Sequence, residues 1–312
     1  MAFNYLDRYY WLVELIRTHK GITLKEIQRA WDICYLNDDH RPLARRTFIK
    51  QKDSIESMLH ISIKYDKAER GYSIEDGDYD IERMIDMMLS SASLIKFAKY
   101  PGMAGRIQIQ EESNGLQHIN TIVEAMKFSK CIDLKFKQFY ETDFRELTIE
   151  PYGLKQFERR WYLVGPEVGS RTVRAYSLDK MEEPRMSGHP FVIPEDFSLN
   201  AFFNDYFGTV VYESEESDVI VPPTEILLKV WKREHPYFNT LPLHHTQTCI
   251  EEHEDYSIYH YFMAPTWDLE RRLLECNDHV EVLEPQELRD MMAEHAQNMV
   301  DMYLKIPTNL YL

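Results

Sequence analysis

The sequence is poor in cysteine and contains no long apolar run. Its four cysteines, Cys34, Cys131, Cys249 and Cys276, are far apart, and none belongs to a CxxC pair. This spacing excludes the common zinc and thioredoxin-like motifs and predicts reduced thiols in a cytoplasmic protein. No stretch reaches the ~18 consecutive apolar residues of a membrane helix, so no membrane association is expected. The first residues lack a basic segment followed by an apolar one, which predicts that there is no signal peptide.

The motifs of common enzyme classes are missing as well. The sequence has no P-loop, no HExxH, no nucleophile elbow and no clustered metal-binding carboxylates. His244, His245 and His253 have no partner carboxylate at a defined spacing, so we expect surface histidines rather than a metal site. The sequence therefore predicts a protein that is not an enzyme and that needs no metal or cofactor.

Negative charge is concentrated at one end of the chain. The net charge is -16, but residues 1–75 carry 13 Lys and Arg against 11 Asp and Glu. Residues 118–195 are balanced at 12 against 12, whereas residues 200–312 carry 7 against 21. Because nucleic acid attracts cations, any nucleic-acid contact is expected in the first two blocks.

The most informative stretch runs from residue 149 to residue 181. Apolar and polar residues alternate there, with the period of a half-buried strand. Pro151 and Gly153 mark a bend, and residues 165–170 mark a turn. Strands this short and this close predict a small antiparallel barrel or sandwich. The alternating apolar positions are Leu147, Ile149, Trp161, Leu163, Val173 and Ala175.

This stretch resembles the signature of the WYL-domain family. The motif pieces are a Glu-Pro-x-Gly-Leu run at 150–154, the Trp-Tyr-Leu tripeptide at 161–163 and an Arg-x-Tyr-Ser-Leu-Asp-Lys run at 174–180. The resemblance implies an Sm-like (SH3-type) small β-barrel that senses a nucleotide or single-stranded nucleic acid. It implies effector-binding roles for Tyr162, for Arg174 and for Lys180, where the family usually has arginine.

The chemistry of these side chains suits such a ligand. An arginine can grip a phosphate with two hydrogen bonds, and a tyrosine ring can stack on a base. Trp161 and Leu163 are expected in the barrel core. For Tyr162 and Arg174 the alternative is packing against cross-strand neighbours on the barrel surface.

The first 76 residues predict three helices followed by a β-hairpin, which is the order of a winged helix-turn-helix. Apolar periodicity marks a helix over 7–18, and Thr23 with Glu26 fits a capping box that opens the second. The third helix spans roughly 43–59, and the hairpin spans 61–74. An Arg-Arg-Thr-Phe segment and an Ile-x-Tyr-Asp hairpin also resemble the DNA-binding heads attached to WYL domains.

DNA-contacting residues are expected on the third helix and at the tip of the hairpin. A helix in the major groove reads bases from its N-terminal half, while basic side chains contact phosphates. The alternative is that the basic residues of the third helix form a solvated face. The expected DNA-binding residues are Arg45, Arg46, Thr47, Lys50, Lys67 and Arg70.

The rest of the chain predicts further elements. Helices at 81–100 and 118–128 and an extended arm at 106–113 lie between the head and the sensor. The Val-Glu-Val-Leu-Glu-Pro run at 280–285 resembles the C-terminal extension that follows WYL domains. We thus predict an α+β multidomain protein. Its parts are a winged helix-turn-helix (1–76), a helical linker (77–128), a WYL barrel (129–195), a linker (196–222) and a C-terminal α/β extension domain (223–312).

These predictions lead to two functional hypotheses. The first is a cytoplasmic, ligand-responsive transcription regulator, a homodimer that binds double-stranded operator DNA and responds to a nucleotide or single-stranded nucleic acid. Its dimer contacts would come from the linker helices or from the C-terminal domain. The second is a nucleic-acid-binding adaptor or accessory protein of a phage-defence system without operator specificity.

Overall fold

The computed structural model describes residues 5–19, 21–34, 36–37, 39–59, 61–75, 115–138, 141–214 and 217–304. The chain divides into two compact units, residues 1–110 and 111–312. The helix expected at 81–100 and the arm expected at 106–113 lie outside the described residues. Within the described part of the chain, no helix combines the length and the apolar character needed to cross a membrane.

Three helices and a hairpin form the described part of the first unit. They are α1 (Tyr5–Thr18), α2 (Leu24–Asp32), α3 (Arg45–Leu59) and the antiparallel pair β1 (Ile63–Asp66) and β2 (Gly71–Ile74). The predicted capping box is confirmed, since the Glu26 amide donates to Thr23 Oγ1 at 3.3 Å and the Thr23 amide donates to Glu26 Oε2 at 2.8 Å. Hydrogen bonds from the Thr23 side chain and amide lower the pKa of Glu26.

The hairpin is tied to the connection between α1 and α2. The Ile22 amide donates to the Tyr72 carbonyl at 3.1 Å, and the Tyr72 amide donates back to the Ile22 carbonyl at 2.7 Å. Gly71 permits this approach, because a Cβ there would lie 1.9 Å from the Gly21 carbonyl oxygen. A single antiparallel bridge between Ile22 and Tyr72 therefore ties the hairpin to this connection. The core that α1, α2, α3 and β1 share contains Leu12, Val13, Ile16, Ile27, Trp31, Phe48, Ile55 and Ile63.

The second unit begins with one helix and six strands. These are α4 (Ile119–Lys127), β3 (Lys130–Phe136), β4 (Arg145–Ile149), β5 (Gly153–Phe157), β6 (Arg160–Pro166), β7 (Val173–Ser177) and β8 (Met181–Pro190). They form two three-stranded antiparallel sheets in the orders β4-β3-β8 and β5-β6-β7. The helix α4 contributes Ile122 and Ala125 to the core between the sheets.

The small Sm-like barrel that the resemblance implied is not closed, because the two described sheets remain open. They meet where β4 crosses β6: the Glu150 amide donates to the Pro166 carbonyl at 3.0 Å, and the Val168 amide donates to the Thr148 carbonyl at 2.9 Å. Among the described strands no ladder joins β7 to β8. A 3-10 turn at Leu178–Lys180 instead carries the chain from one sheet to the other.

The sequence analysis missed β8 entirely. Its ten residues include two prolines and a glycine and show no apolar alternation, so they lack the usual signals of a strand. The strand exists because it pairs along β3, with register shifts that absorb the irregular sequence. Long-range pairing therefore overrides local propensity here.

The sheet β5-β6-β7 is buried on both faces. On one face Leu163 packs with Ile132 and Ile149 of the other sheet. On the opposite face Val164 packs with Phe203 and Val211 of the segment that follows β8. Both Leu163 and Val164 are fully buried. The expected core position of Leu163 is confirmed, and Trp161 packs at the edge of the same core while half-buried.

The chain then forms a second α/β layer. A short helix α5 (Leu199–Phe202) precedes β9 (Thr224–Trp231), α6 (His235–Thr240), β10 (Thr248–Glu252), β11 (Tyr256–Met263), α7 (Trp267–Leu274), β12 (Val280–Glu284) and α8 (Gln286–Leu304). The antiparallel sheet has the order β10-β11-β9-β12. This β-α-β-β-α-β order is that of a ferredoxin-like fold. The run at 280–285 contains β12, and the domain has the mixed α/β character that was predicted for residues 223–312.

Gly165 offers a test of the junction between the sheets. A Cβ at Gly165 would lie 1.8 Å from the Glu150 carbonyl oxygen, whereas at Gly188 no described atom lies within 4 Å of the corresponding position. We expect Gly165→Ala to destabilise the protein by about 1–3 kcal/mol through overpacking against backbone. The control Gly188→Ala should change stability by less than ~0.5 kcal/mol. Urea unfolding followed by circular dichroism measures both, and equal midpoints would contradict the described crossing.

Candidate functional site

Tyr162 lies on the central strand of the sheet β5-β6-β7. It is opposite Lys155 on β5 and opposite Ser177 on β7. Its side chain is half-buried and shares a hydrogen bond with Thr209. Burial and the nearby Asp268 carboxylate raise the pKa of the Tyr162 hydroxyl. Tyr162 therefore lies at the junction with the following segment and with α7, not on an open rim.

Lys155 is a half-buried cation beside Tyr162. Its Nζ lies 3.9 Å from the centroid of the Phe203 ring. Burial lowers the pKa of Lys155 to about 8, although the Asp268 carboxylate acts in the opposite direction. The ring and the carboxylate thus compensate only part of the lost hydration.

Asp268 locks α7 onto the segment that precedes β9. Its carboxylate is 8% exposed and accepts from the Thr209 amide at 2.7 Å and from the Val210 amide at 2.9 Å. Gly208 has a φ of +99°, and a Cβ there would lie 2.2 Å from Asp268 Oδ2. Only glycine suits both the backbone conformation and the space. Tyr162, Lys155 and Asp268 therefore form one buried polar junction.

Arg174 is engaged by the chain itself. It lies on β7 opposite Gly165. Its Nη2 donates to the Ser217 carbonyl at 2.7 Å and to Asp218 Oδ1 at 2.9 Å. The guanidinium carbon also lies 4.7 Å from the centroid of the Tyr212 ring. The two oxygens take the hydrogen bonds of Arg174 that the oxygens of a phosphate-bearing ligand would otherwise accept.

The three predicted effector residues do not converge on one face. Direct cross-strand partners share a face of a sheet, and Tyr162 and Gly165 are separated by an odd number of positions. Tyr162 and Arg174, the partner of Gly165, therefore leave the sheet on opposite faces. Lys180 lies in the 3-10 turn before β8, and its Nζ donates to Gln138 Oε1.

The structure places the predicted DNA-binding residues on the surface of the first unit. Phe48, Gln51 and Ile55 form the buried face of α3. The remaining positions of its first half face solvent, and so does the turn between β1 and β2. The exposed residues are Arg45, Arg46, Thr47, Lys50, Lys67 and Arg70.

His244 differs from the prediction of a surface histidine. It is 8% exposed, and its Nε2 donates to the Asn204 carbonyl at 2.7 Å while Nδ1 lies 2.8 Å from Thr246 Oγ1. Burial lowers the pKa of His244. The neutral ring thus joins the segment before β9 to the C-terminal sheet. The sequence offered no signal for this, because His244 lies in a loop without periodicity.

Sequence reasoning also missed Lys155, Asp268, Tyr212 and Asp218. The tight turn at Glu158 and Arg159, with φ values of 45° and 65°, sets Lys155 opposite Tyr162, but Glu-Arg is not a residue pair that predicts such a turn. Asp218 is 44 positions from Arg174, so apart from their opposite charges nothing in the sequence indicates that the two residues pair.

Comparison with known families agrees with this architecture. Residues 117–186 match the WYL domain, and residues 222–300 match the WCX domain. The chain therefore contains a WYL domain followed by a WCX domain, and the ferredoxin-like layer lies within the WCX match. No curated protein sequence matches the chain.

Two solved structures are similar to the chain. One is Proteasome accessory factor B/C (PafBC) of Arthrobacter aurescens, at 16% identity and a TM-score of 0.38, covering 98% of this chain and 49% of that one. The chain thus spans about half the length of PafBC. The other is described as a CRISPR Cas-related protein, at 10% identity and a TM-score of 0.41, covering 95% of this chain and 80% of that one.

The buried junction should make stability depend on Lys155 in alkaline solution. With a folded pKa of about 8 against ~10.4 in the unfolded chain, the unfolded state binds more protons between these values. Stability should therefore rise with pH in this window. We expect the free energy of unfolding of the wild type, relative to Lys155→Met, to increase by about 1–2 kcal/mol between pH ~7 and ~9.5.

The difference in unfolding free energy between the wild type and Lys155→Met cancels the pH dependence that arises from all other titrating groups. Tyrosines with a raised pKa, such as Tyr152 at about 12, weaken the fold at still higher pH in both proteins. The exposed Lys232 supplies the control Lys232→Met, whose difference from the wild type should not change with pH. Urea titrations across the pH range measure all three, and a pH-independent difference for Lys155→Met would contradict the buried ammonium.

Proposed function

We propose that the protein is a ligand-responsive transcription regulator without enzymatic activity. Residues 1–76 act as a winged helix-turn-helix that binds operator DNA as a homodimer in the cytoplasm. The WYL domain binds a nucleotide or single-stranded nucleic acid and thereby alters operator binding. The observation that carries this proposal is the set of exposed basic side chains in the first half of α3, in a chain that also contains a WYL domain.

The electrostatics of α3 favour an anionic partner. Its first turn contains Arg45 and Arg46 and no acidic residue. The N-terminus of a helix is itself positive, so each cation there costs about 0.3–1 kcal/mol in the absence of an anion. A DNA phosphate would remove this repulsion and would also accept hydrogen bonds from the free amides of the first turn. Thr47 and Lys50 then project from the same part of α3 towards base edges and backbone.

The hairpin supports the same proposal as a wing. Lys67 and Arg70 are both exposed in the turn between β1 and β2. The turn is ordered by Asp66, whose Oδ1 accepts from the Ala68 amide at 2.6 Å, and by the Tyr65 hydroxyl, which donates to the Arg70 carbonyl at 3.0 Å. An ordered tip with two cations suits contact with the phosphates that flank a major-groove helix.

Arg174, which packs beside Tyr212, supports an anionic effector. The guanidinium can hold two oxygens of a phosphate, and Arg174 already holds two oxygens of the chain. The buried Tyr212 ring next to it supports the guanidinium through a cation-π contact. Effector binding shifts operator affinity only if the two states of the protein bind the ligand with different affinities.

The charge of the C-terminal part favours a second candidate function. Residues 200–312 carry 7 Lys and Arg against 21 Asp and Glu, an acidic surface suited to a basic protein partner. In this alternative the protein is a nucleic-acid-binding adaptor or accessory protein of a phage-defence system without operator specificity. Sequence selection from a random DNA pool separates the two functions, because an adaptor would enrich no operator motif.

Salt dependence tests the DNA-binding head. We expect the combined substitutions Arg45→Ala, Arg46→Ala and Lys50→Ala to weaken binding to selected duplexes and to flatten the plot of log affinity against log salt. Each lost phosphate contact should reduce the slope by about 0.9. Fluorescence anisotropy at several salt concentrations measures this. Lys232→Ala, which removes a cation from the WCX domain, is the control and should leave the slope unchanged; equal slopes for both variants would contradict the proposal.

The effector site is tested by Arg174→Ala. Losing a charge-assisted contact to phosphate should weaken binding of nucleotides or short single-stranded oligonucleotides about tenfold or more. Operator affinity without effector should stay as in the wild type. Arg185→Ala is the matched control, since Arg185 is an exposed arginine on β8 that pairs with Glu183 at 3.3 Å. An Arg174→Ala variant that binds and responds to effector normally would exclude this site.

A further inference from the structure

The linker between the WYL and WCX domains forms a hairpin beside Arg174. This linker hairpin comprises the described residues 211–214 and 217–221. Tyr212 and Ile220 form an antiparallel bridge. The Glu213 amide donates to the Val219 carbonyl at 3.0 Å, and the Val221 amide donates to the Val211 carbonyl at 3.0 Å. The hairpin is therefore held by its own ladder and can present Ser217 and Asp218, here called its tip, in a defined position.

The base of the linker hairpin is fixed to the WYL sheet. Val211 and Tyr212 are 3% and 9% exposed and pack with Val164 of β6. The Tyr212 hydroxyl donates to the Val173 carbonyl at 2.9 Å, and the Tyr206 hydroxyl donates to the Val221 carbonyl at 3.0 Å. Because the base is anchored this firmly, the contact of the tip with Arg174 needs little additional ordering.

The tip fills the place of an anionic ligand. Arg174 Nη2 receives one carbonyl oxygen from Ser217 and one carboxylate oxygen from Asp218, at 2.7 Å and 2.9 Å. The Arg174 side chain is 23% exposed, whereas that of Asp218 is 73% exposed. The cation is thus mostly shielded while the carboxylate remains in water. An ion pair with one solvated partner contributes little and can be displaced by a stronger anion.

We propose that Ser217 and Asp218 are an internal competitor for the effector site at Arg174. A phosphate group of the effector takes over the guanidinium, and the tip of the linker hairpin is released. The tip continues into Ile220 and Val221, which lead within three residues into β9 of the WCX domain. Occupancy of the WYL domain is thereby communicated to the WCX domain. This inference rests on the proposed function, in which Arg174 binds the effector phosphate.

The size of the effect follows from the exposure of Asp218. Exposed ion pairs contribute modestly, so removing the competing charge should tighten effector binding about two- to fivefold. Asp218→Asn keeps the shape and removes the charge. Asp196→Asn is the matched control, because Asp196 is another exposed aspartate of the same linker region.

The experiment is a double-mutant cycle on the full chain. The probe is a short fluorescein-labelled oligothymidylate with a terminal phosphate, and its affinity is measured by anisotropy at fixed ionic strength. We expect Asp218→Asn to bind about two- to fivefold more tightly and Asp196→Asn to bind like the wild type. In the Arg174→Ala background the gain from Asp218→Asn should vanish. If Asp218→Asn still tightens probe binding in the Arg174→Ala background, or if Asp196→Asn tightens it equally, the proposal that Asp218 competes with the effector is wrong.

Hydrogen exchange supplies a readout that needs no ligand. The amides of Glu213 and Val221 are bonded within the linker hairpin. Asp218→Asn should speed their exchange, and saturating the wild type with the probe should have the same effect. If Arg174→Ala and the wild type bind the probe equally, the effector site itself is wrong. If Arg174→Ala binds weakly but Asp218→Asn changes neither affinity nor exchange, only the competitor is wrong.

Discussion

The burial of β6 on both faces is the constraint on which the second unit depends. Leu163 and Val164 are adjacent in the chain and point to opposite faces, yet both are fully buried. A strand can be buried on both faces only when a layer of other residues packs against each face. The sheet β4-β3-β8 with α4 covers one face, and the segment that follows β8 covers the other. That segment is therefore part of the core of the WYL domain and not a loose tether to the next domain.

The polar groups around β6 follow from the same constraint. Lys155 and Tyr162 are opposite each other on the face that the linker covers, so their polar ends are enclosed together with Asp268. Asp268 is satisfied by two backbone amides of the linker, which makes its position on α7 dependent on the linker conformation. The WYL sheet, the linker and the WCX domain thus share a single set of polar contacts. Arg174 lies on the opposite face by register and contacts the linker from the edge strand.

Sequence reasoning reached the elements whose signals are local. The period of two along Trp161 and Leu163 and the capping box at Thr23 both arise from neighbouring residues. It did not predict features that depend on contacts between residues far apart in the sequence. The strand β8 exists through pairing with β3, and the openness of the two sheets depends on how they meet at Gly165. His244 is buried because it packs against the segment before β9 and donates to the Asn204 carbonyl. That carbonyl is 40 positions away in the sequence, so no local pattern predicts the contact.

The candidate site shows the same division. The exposure of Arg45 and Lys50 follows from the apolar face of α3, which Phe48 and Ile55 define. The position of Tyr162 in a polar junction could not be predicted from the sequence, because no residue near Tyr162 in the chain indicates that Asp268 lies beside it. The pairing of Arg174 with Asp218 likewise depends on the fold of an intervening segment.

The contact between Gly208 and Asp268 has a consequence for recombination between related proteins. Gly208 has a φ of +99°, and a Cβ there would lie only 2.2 Å from Asp268 Oδ2, so this position requires glycine. The two amides that follow Gly208 both donate to the Asp268 carboxylate. A WCX domain transplanted at residue 222 would bring Asp268 but leave its two donors behind. A functional chimaera needs its crossover upstream of Gly208, so the unit that can be exchanged is longer than the domain boundary indicates.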